Sequence, residues 1–134
     1  MNLEDLKIYK KAHELAVKIH KMTLKFLPPF EMYEQGSQIR RSSKSVAAQI
    51  VEGHSLRNYK NEYLHYLHRA YASNRETGEH LKLLFETQSL KDEKLYNELS
   101  SDIDELSKML YSYIQAVVKQ HKIPSKEQQL AAAD

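Results

Sequence analysis

The chain has 134 residues, of which 41% are apolar and 28% charged, and its 20 Lys and Arg against 18 Asp and Glu give a formal net charge of +2. This length suits one domain, the composition is close to that of an average globular protein and excludes wholesale disorder, and the charge is too mild to announce a nucleic-acid binder by itself. The absence of cysteine excludes disulfides and thiolate metal sites and permits a cytoplasmic location.

Three glycines and three prolines leave too few turn residues for an all-β fold. The opening MNLEDLKIYKK has acids and lysines where a secretory signal needs an apolar core. Charge interrupts every apolar run well short of the roughly 18 residues of a membrane span. A soluble, cytoplasmic, helical protein with no membrane partner is expected.

The first predicted helix covers about Leu3 to Phe26. Ile8, Ala12, Leu15, Ile19, Met22 and Phe26 recur at steps of four and three, which places them on one stripe. Pro28 and Pro29 end it, since neither donates the helical hydrogen bond. The second helix, about Ser37 to Glu52, presents Ile39, Val46, Ala47, Ile50 and Val51 on one side, and Gly53 stands where a left-handed C-terminal cap is expected. The third, Tyr59 to about Thr87, carries the series Tyr63, Leu67, Ala70, Asn74, Thr77, Leu81 and Leu84. It is on the order of 43 Å long and is expected to reach past a core built on the shorter second helix. Gly78 inside it costs about 1 kcal/mol relative to Ala, which points to a close helix contact there.

The fourth helix starts after Ser89 or Asp92 as N-cap and carries the seam Leu95, Leu99, Ile103, Leu106, Leu110, Tyr113 and Val117. Acids crowd its first half, and Lys119, His121 and Lys122 lie near its end, matching the helix dipole. Pro124 is expected to stop it. Short links between amphipathic helices make neighbours antiparallel, so the expected fold is all-α, an up-down-up-down four-helix bundle over 1–123 with a flexible tail over 124–134. Nine tyrosines and no tryptophan suit half-wet surfaces such as subunit interfaces. Tyr63, Tyr66 and Tyr113 equally suit the border of a monomer core.

Charge is polarised along the chain. From Gly36 to Arg75 seven cations face two anions, a net +5, whereas from Asp92 to Lys122 four cations face six anions, a net −2. The search for chemistry yields little. His65 and His68 share a helix face, and Glu62 stands three before His65, but a di-metal bundle needs that element twice and no second copy exists. Ser42, Ser43 and Ser45 lack a glycine-framed elbow, and the three glycines are too scattered for a phosphate-cradling loop. No catalytic residue, metal ligand or cofactor is expected.

The remaining candidates lie in and beyond QIRRSSKSVAAQIVEG. Arg40 and Lys44 are four apart and share a helix face, with Arg41 about 100° further round. Arg57 follows in the next connection and Lys60 at the start of the third helix. Guanidinium groups donate to phosphate in a fork, so these five are candidate nucleic-acid contacts. A solvated basic face, with Arg41 paired to Glu62 or Glu76, is the competing reading.

The same stretch, IRRSSKSVAAQIVEG, resembles the hydrophobic-Arg-Arg-small-small-x-Ser-hydrophobic-x-x-Asn-Ile-Ala-Glu-Gly signature of the 23S rRNA intervening-sequence proteins, also called the four-helix-bundle protein family. NEYLHYLHRAYASNRETGEHL looks like the family's next element, with Glu62, Tyr63, Tyr66, Leu67, Ala70, Ser73 and Glu76 in the matching places. FLPPFEMYEQGSQIRR and LSKMLYSYI are similar to its inter-helix turn and its fourth-helix ending, so the match covers about Leu6 to Val118. Gln49 replaces the expected Asn, Val51 the Ala and Ala72 the Gly, and Tyr9 stands in for a Trp. The resemblance implies an antiparallel bundle assembled as a ring-like homopentamer without catalytic residues. It also implies kinship with the accessory protein of diversity-generating retroelements, a similar pentamer that binds nucleic acid and partners a reverse transcriptase. Members are encoded within insertions in large-subunit rRNA genes, so the family name records a gene location. The expected function is a non-catalytic homo-oligomer binding RNA or DNA, with a protein scaffold docking a reverse transcriptase or another partner as the alternative.

Overall fold

The computed structural model describes residues 2–120, and local chemistry explains where each of its helices begins and ends. A short 3-10 turn over Leu3–Asp5 precedes α1, Lys7–Phe26. The first helix therefore starts later than its sequence suggests, because Leu6 is extended and turns its side chain into the core, at 3% exposure. Leu27 ends α1 in an extended conformation ahead of Pro28, and Pro29–Met32 forms a second 3-10 turn. Helix α2, Gln35–Ser55, is longer at both ends than its apolar pattern. Helices α3, Lys60–Glu86, and α4, Glu93–Lys119, complete an up-down-up-down bundle with α1 beside α2, α2 beside α3, α3 beside α4 and α4 closing on α1. The stop expected at Pro124 and the tail after it lie outside the described residues.

Every member of the α3 series from Tyr63 to Leu84 is buried, as its spacing requires. On α1 the stripe holds through Met22, but Phe26 is 44% exposed and Leu27 takes its place in the core. On α4 Ile114 fills the core, while Leu95 and Tyr113 only border it. Asp92 is the N-cap of α4, its Oδ1 accepting from the Leu95 backbone N–H at 3.0 Å.

Gly53 is not a left-handed cap. It lies inside α2 and is buried, and a Cβ there would stand 3.0 Å from Tyr66 Cβ and 3.3 Å from Tyr63 Cδ1, so its value is the close approach of α3. The same interface is lined by small hydroxyls: Ser42 meets Thr77 at 2.8 Å and Ser45 meets Ser73 at 3.1 Å. Gly78 is different, since a Cβ there meets only Ile103 Cγ2 at an ordinary 3.5 Å. No tight contact requires that glycine.

The Pro29–Met32 turn packs on α1 and α2. Glu31, 3% exposed, accepts from Gly36 N–H at 3.1 Å and from the Ser89 hydroxyl at 2.5 Å, which ties the turn to the start of α2 and to the α3–α4 connection. In that connection Gln88 adopts φ 67°, a left-handed terminator made without glycine.

Candidate nucleic-acid interface

The five cations singled out from sequence divide into two groups. Arg40 is half-buried: its Nη1 donates to Thr23 Oγ1 at 2.9 Å and its Nη2 to the Met32 carbonyl at 2.8 Å, so it staples α1 to the Pro29–Met32 turn. Lys60 donates from Nζ to the Val118 carbonyl at 2.8 Å, and Arg57 from Nη1 to the His54 carbonyl at 2.9 Å. Both satisfy carbonyls near helix C-termini, where the dipole favours a cation. Arg40 and Lys60 thus join separate elements of the bundle, and Arg57 closes the end of its own helix.

Arg41 and Lys44 are exposed on α2, and among the described residues neither makes a hydrogen bond or an ion pair. The pairing of Arg41 with Glu62 or Glu76 does not form. Glu76 instead meets His80 Nε2 at 3.0 Å, and His80 Nδ1 meets the Gln35 amide. The i,i+4 pair expected on one face is thus divided by its neighbours, because Thr23 draws Arg40 inward while nothing draws Lys44.

Across from Lys44, helix α1 contributes residues that the sequence reading did not single out. His13, Val17 and Lys21 are exposed and Ala16 and His20 lie deeper, and with Lys44 and Ala47 of α2 they line a cleft of about 340 Å³. The signal was present as a second stripe at steps of three and four beside the core stripe of α1. On the other flank of α1 the lysines are consumed. Lys11 meets Asp102 at 3.0 Å and Glu105 at 3.2 Å, and Lys18 meets Asp102 at 2.8 Å. Burial works against charge on Asp102 and Lys11, but the bonds from Lys18 and Lys11 to Asp102, and from Lys11 to Asp102 and Glu105, outweigh it, so the Asp102 pKa is lowered and the Lys11 pKa raised.

The serines of the signature are structural. Ser42 bonds Thr77, and Ser43 donates to the Arg40 carbonyl at 3.2 Å. Tyr63 meets the Tyr113 hydroxyl at 2.6 Å, and burial together with that bond pushes its phenol well above the ordinary range, so it joins α3 to α4 as a neutral group. His65 and His68 are exposed, and among the described residues no cluster of three metal-ligating side chains occurs. None of the described helices is long and apolar enough to cross a membrane.

The sequence matches the profile of the 23S rRNA-intervening sequence protein over residues 4–112. The chain belongs to that family. Its fold is similar to the crystal structure of a protein of unknown function from the S23 ribosomal protein family of Bacteroides thetaiotaomicron, at TM-score 0.72 and 29% identity over 81% of this chain and 95% of that one. No curated protein matches the chain. Within the 23S rRNA-intervening sequence framework, the adjacent arginines of the signature have separate fates, one internal and one outward. The departures from the signature are accommodated: Val51 is 38% exposed, Ala72 is exposed, and the half-buried Tyr9 packs against His13 with ring centroids 5.7 Å apart. Gln49 leaves its Oε1 buried without a partner.

Proposed function

We propose that this chain is a non-catalytic subunit of a homo-oligomer, a pentamer in the manner its family resemblance implies, that binds RNA or DNA through backbone phosphates. The observation that carries the reading is the outward, unpaired state of Arg41 and Lys44 on a helix whose remaining cation, Arg40, is used internally. A patch this small is weak on one subunit. Repeated around a ring, it becomes a multivalent surface whose effective local concentration multiplies its affinity. Phosphate contacts of this kind position a nucleic acid with little base readout.

Titration of a labelled structured RNA at rising salt tests the reading. Binding that weakens steeply with salt, and that falls by roughly tenfold or more on Arg41→Glu/Lys44→Glu, supports it. Absence of binding even at low salt, or indifference to that charge reversal, overturns it. Light scattering that returns the mass of one 15.7 kDa chain overturns the multivalent part.

A second reading is favoured by one end of the bundle, where Phe26, Phe30, Met32 and Tyr33 are 44%, 59%, 46% and 88% exposed. Aromatic side chains left in water at one site are typical of protein contacts. On this reading the protein is a scaffold that docks a partner such as a reverse transcriptase. Retention of a partner after nuclease treatment, lost on Phe30→Ser/Tyr33→Ser, supports it, and a raised 260/280 absorbance ratio of the purified protein favours the first.

A further inference from the structure

The cleft between α1 and α2 has Ala16, Ala47 and His20 lying deeper and His13, Val17, Lys21 and Lys44 toward solvent, so that two lysines and two imidazoles line it. No carboxylate lines it. Glu14 on α1 and Glu52 on α2 are the nearest acids along those helices and neither reaches the lining, while Glu98, Asp102 and Glu105 of α4 serve Lys11 and Lys18 on the opposite flank. The half-buried Tyr9 is the titratable group packed on His13. Closure of this cleft by a helix of a second copy would seal Lys21 and Lys44 from water with no acid on the lining to pair them, a costly arrangement. A phosphodiester supplies the missing anion.

We infer that this cleft is the phosphate-gripping part of the surface proposed above, and that His13 and His20 make its grip depend on pH; the inference rests on that reading. A neutral imidazole offers one N–H donor and no charge, whereas a protonated one offers two donors and a positive charge. Bound phosphate favours the protonated form. The added affinity is therefore greater at lower pH than at higher pH.

The test is fluorescence anisotropy with a labelled RNA hairpin near pH 6 and near pH 8, at several salt concentrations, on the full chain. The unaltered protein binds at least about fivefold more tightly at the lower pH, with a log–log salt slope steeper by about one to two. His13→Gln/His20→Gln abolishes that difference, so that the variant binds with one affinity at both pH values. Should circular dichroism show that the double variant does not fold, His13→Gln alone is used, with RNA-induced shifts of the His13 and His20 imidazole resonances in the unaltered protein as second readout. Loss of part of the pH response together with those shifts supports the inference. Binding whose pH dependence is absent or untouched by these variants, or resonances that do not move, overturns the inference and leaves the phosphate reading standing. No binding at either pH overturns both. A change in assembly mass on His13→Gln with unchanged RNA affinity overturns it in favour of a contact between copies.

Discussion

Helix α1 has lysines on two flanks, and the bundle treats them differently. Toward α4, Lys11 and Lys18 converge on Asp102, whose side chain is only 18% exposed, with Glu98 and Glu105 adding to the cluster. Toward α2, Lys21 faces Lys44 across a cleft that holds no carboxylate. Both flanks present lysine. The acids of α4 turn one flank into a seam within the subunit, and the lack of an acid on the cleft lining leaves the other as a surface with unspent charge.

The largest effect expected from breaking the contrast is on the seam. Asp102→Lys removes the shared acceptor and sets a third cation beside Lys11 and Lys18, and thermal unfolding is expected to show a loss of about 2 kcal/mol. A variant as stable as the parent contradicts the assignment of this flank to folding. Asp102→Asn is milder, with an expected loss near neutral pH of about 1 kcal/mol. Because the Asp102 pKa is lowered in the folded chain, its contribution is present above the ordinary Asp range and fades as pH falls through the folded value. The gap between Asp102→Asn and its parent should therefore close in acid unfolding curves as pH falls below the ordinary Asp range. A gap of constant size sinks the electrostatic explanation.

Packing sharpens the same comparison with a smaller change in the opposite direction. Gly78→Ala on α3 introduces a Cβ at van der Waals distance from Ile103 and should raise stability by about 0.5 to 1 kcal/mol in denaturant titration. Destabilisation there would mean that α3 meets something closer than α4 at this point. Smallest of all is the effect of Lys21→Gln/Lys44→Gln on folding, expected within about 0.5 kcal/mol of the parent by the same titration. A larger loss would make those lysines structural.

The fold was legible because apolar spacing and the Pro28–Pro29 break are local signals, and the α3 series from Tyr63 to Leu84 is buried without exception. Connections were harder to read. Leu6, Leu27 and Leu90 belong to no stripe yet are 3%, 9% and 0% exposed, because each folds back over a bundle end through a geometry that periodicity does not encode. Gly53 carried a cap signal whose competing cause, the Tyr63 and Tyr66 rings of α3, lies on another helix. The candidate site was legible only as a set of cations. Arg40 and Arg41 are adjacent in sequence, and Thr23 and the Met32 carbonyl hold the first while the second, about 100° further round the helix, stays exposed. The contribution of His13, His20 and Lys21 depended on which flank of α1 faces α2, a tertiary fact.

The claim that placement decides function is tested most directly by two variants of equal charge change measured side by side against one labelled RNA hairpin. Arg41→Gln/Lys44→Gln should weaken binding by about tenfold with folding intact, whereas Lys11→Gln/Lys18→Gln should lower the unfolding temperature and leave affinity within about twofold. Equal losses of affinity in the two variants would show that net charge alone governs binding, and would contradict the division of the molecule into a folding seam and a phosphate-facing flank.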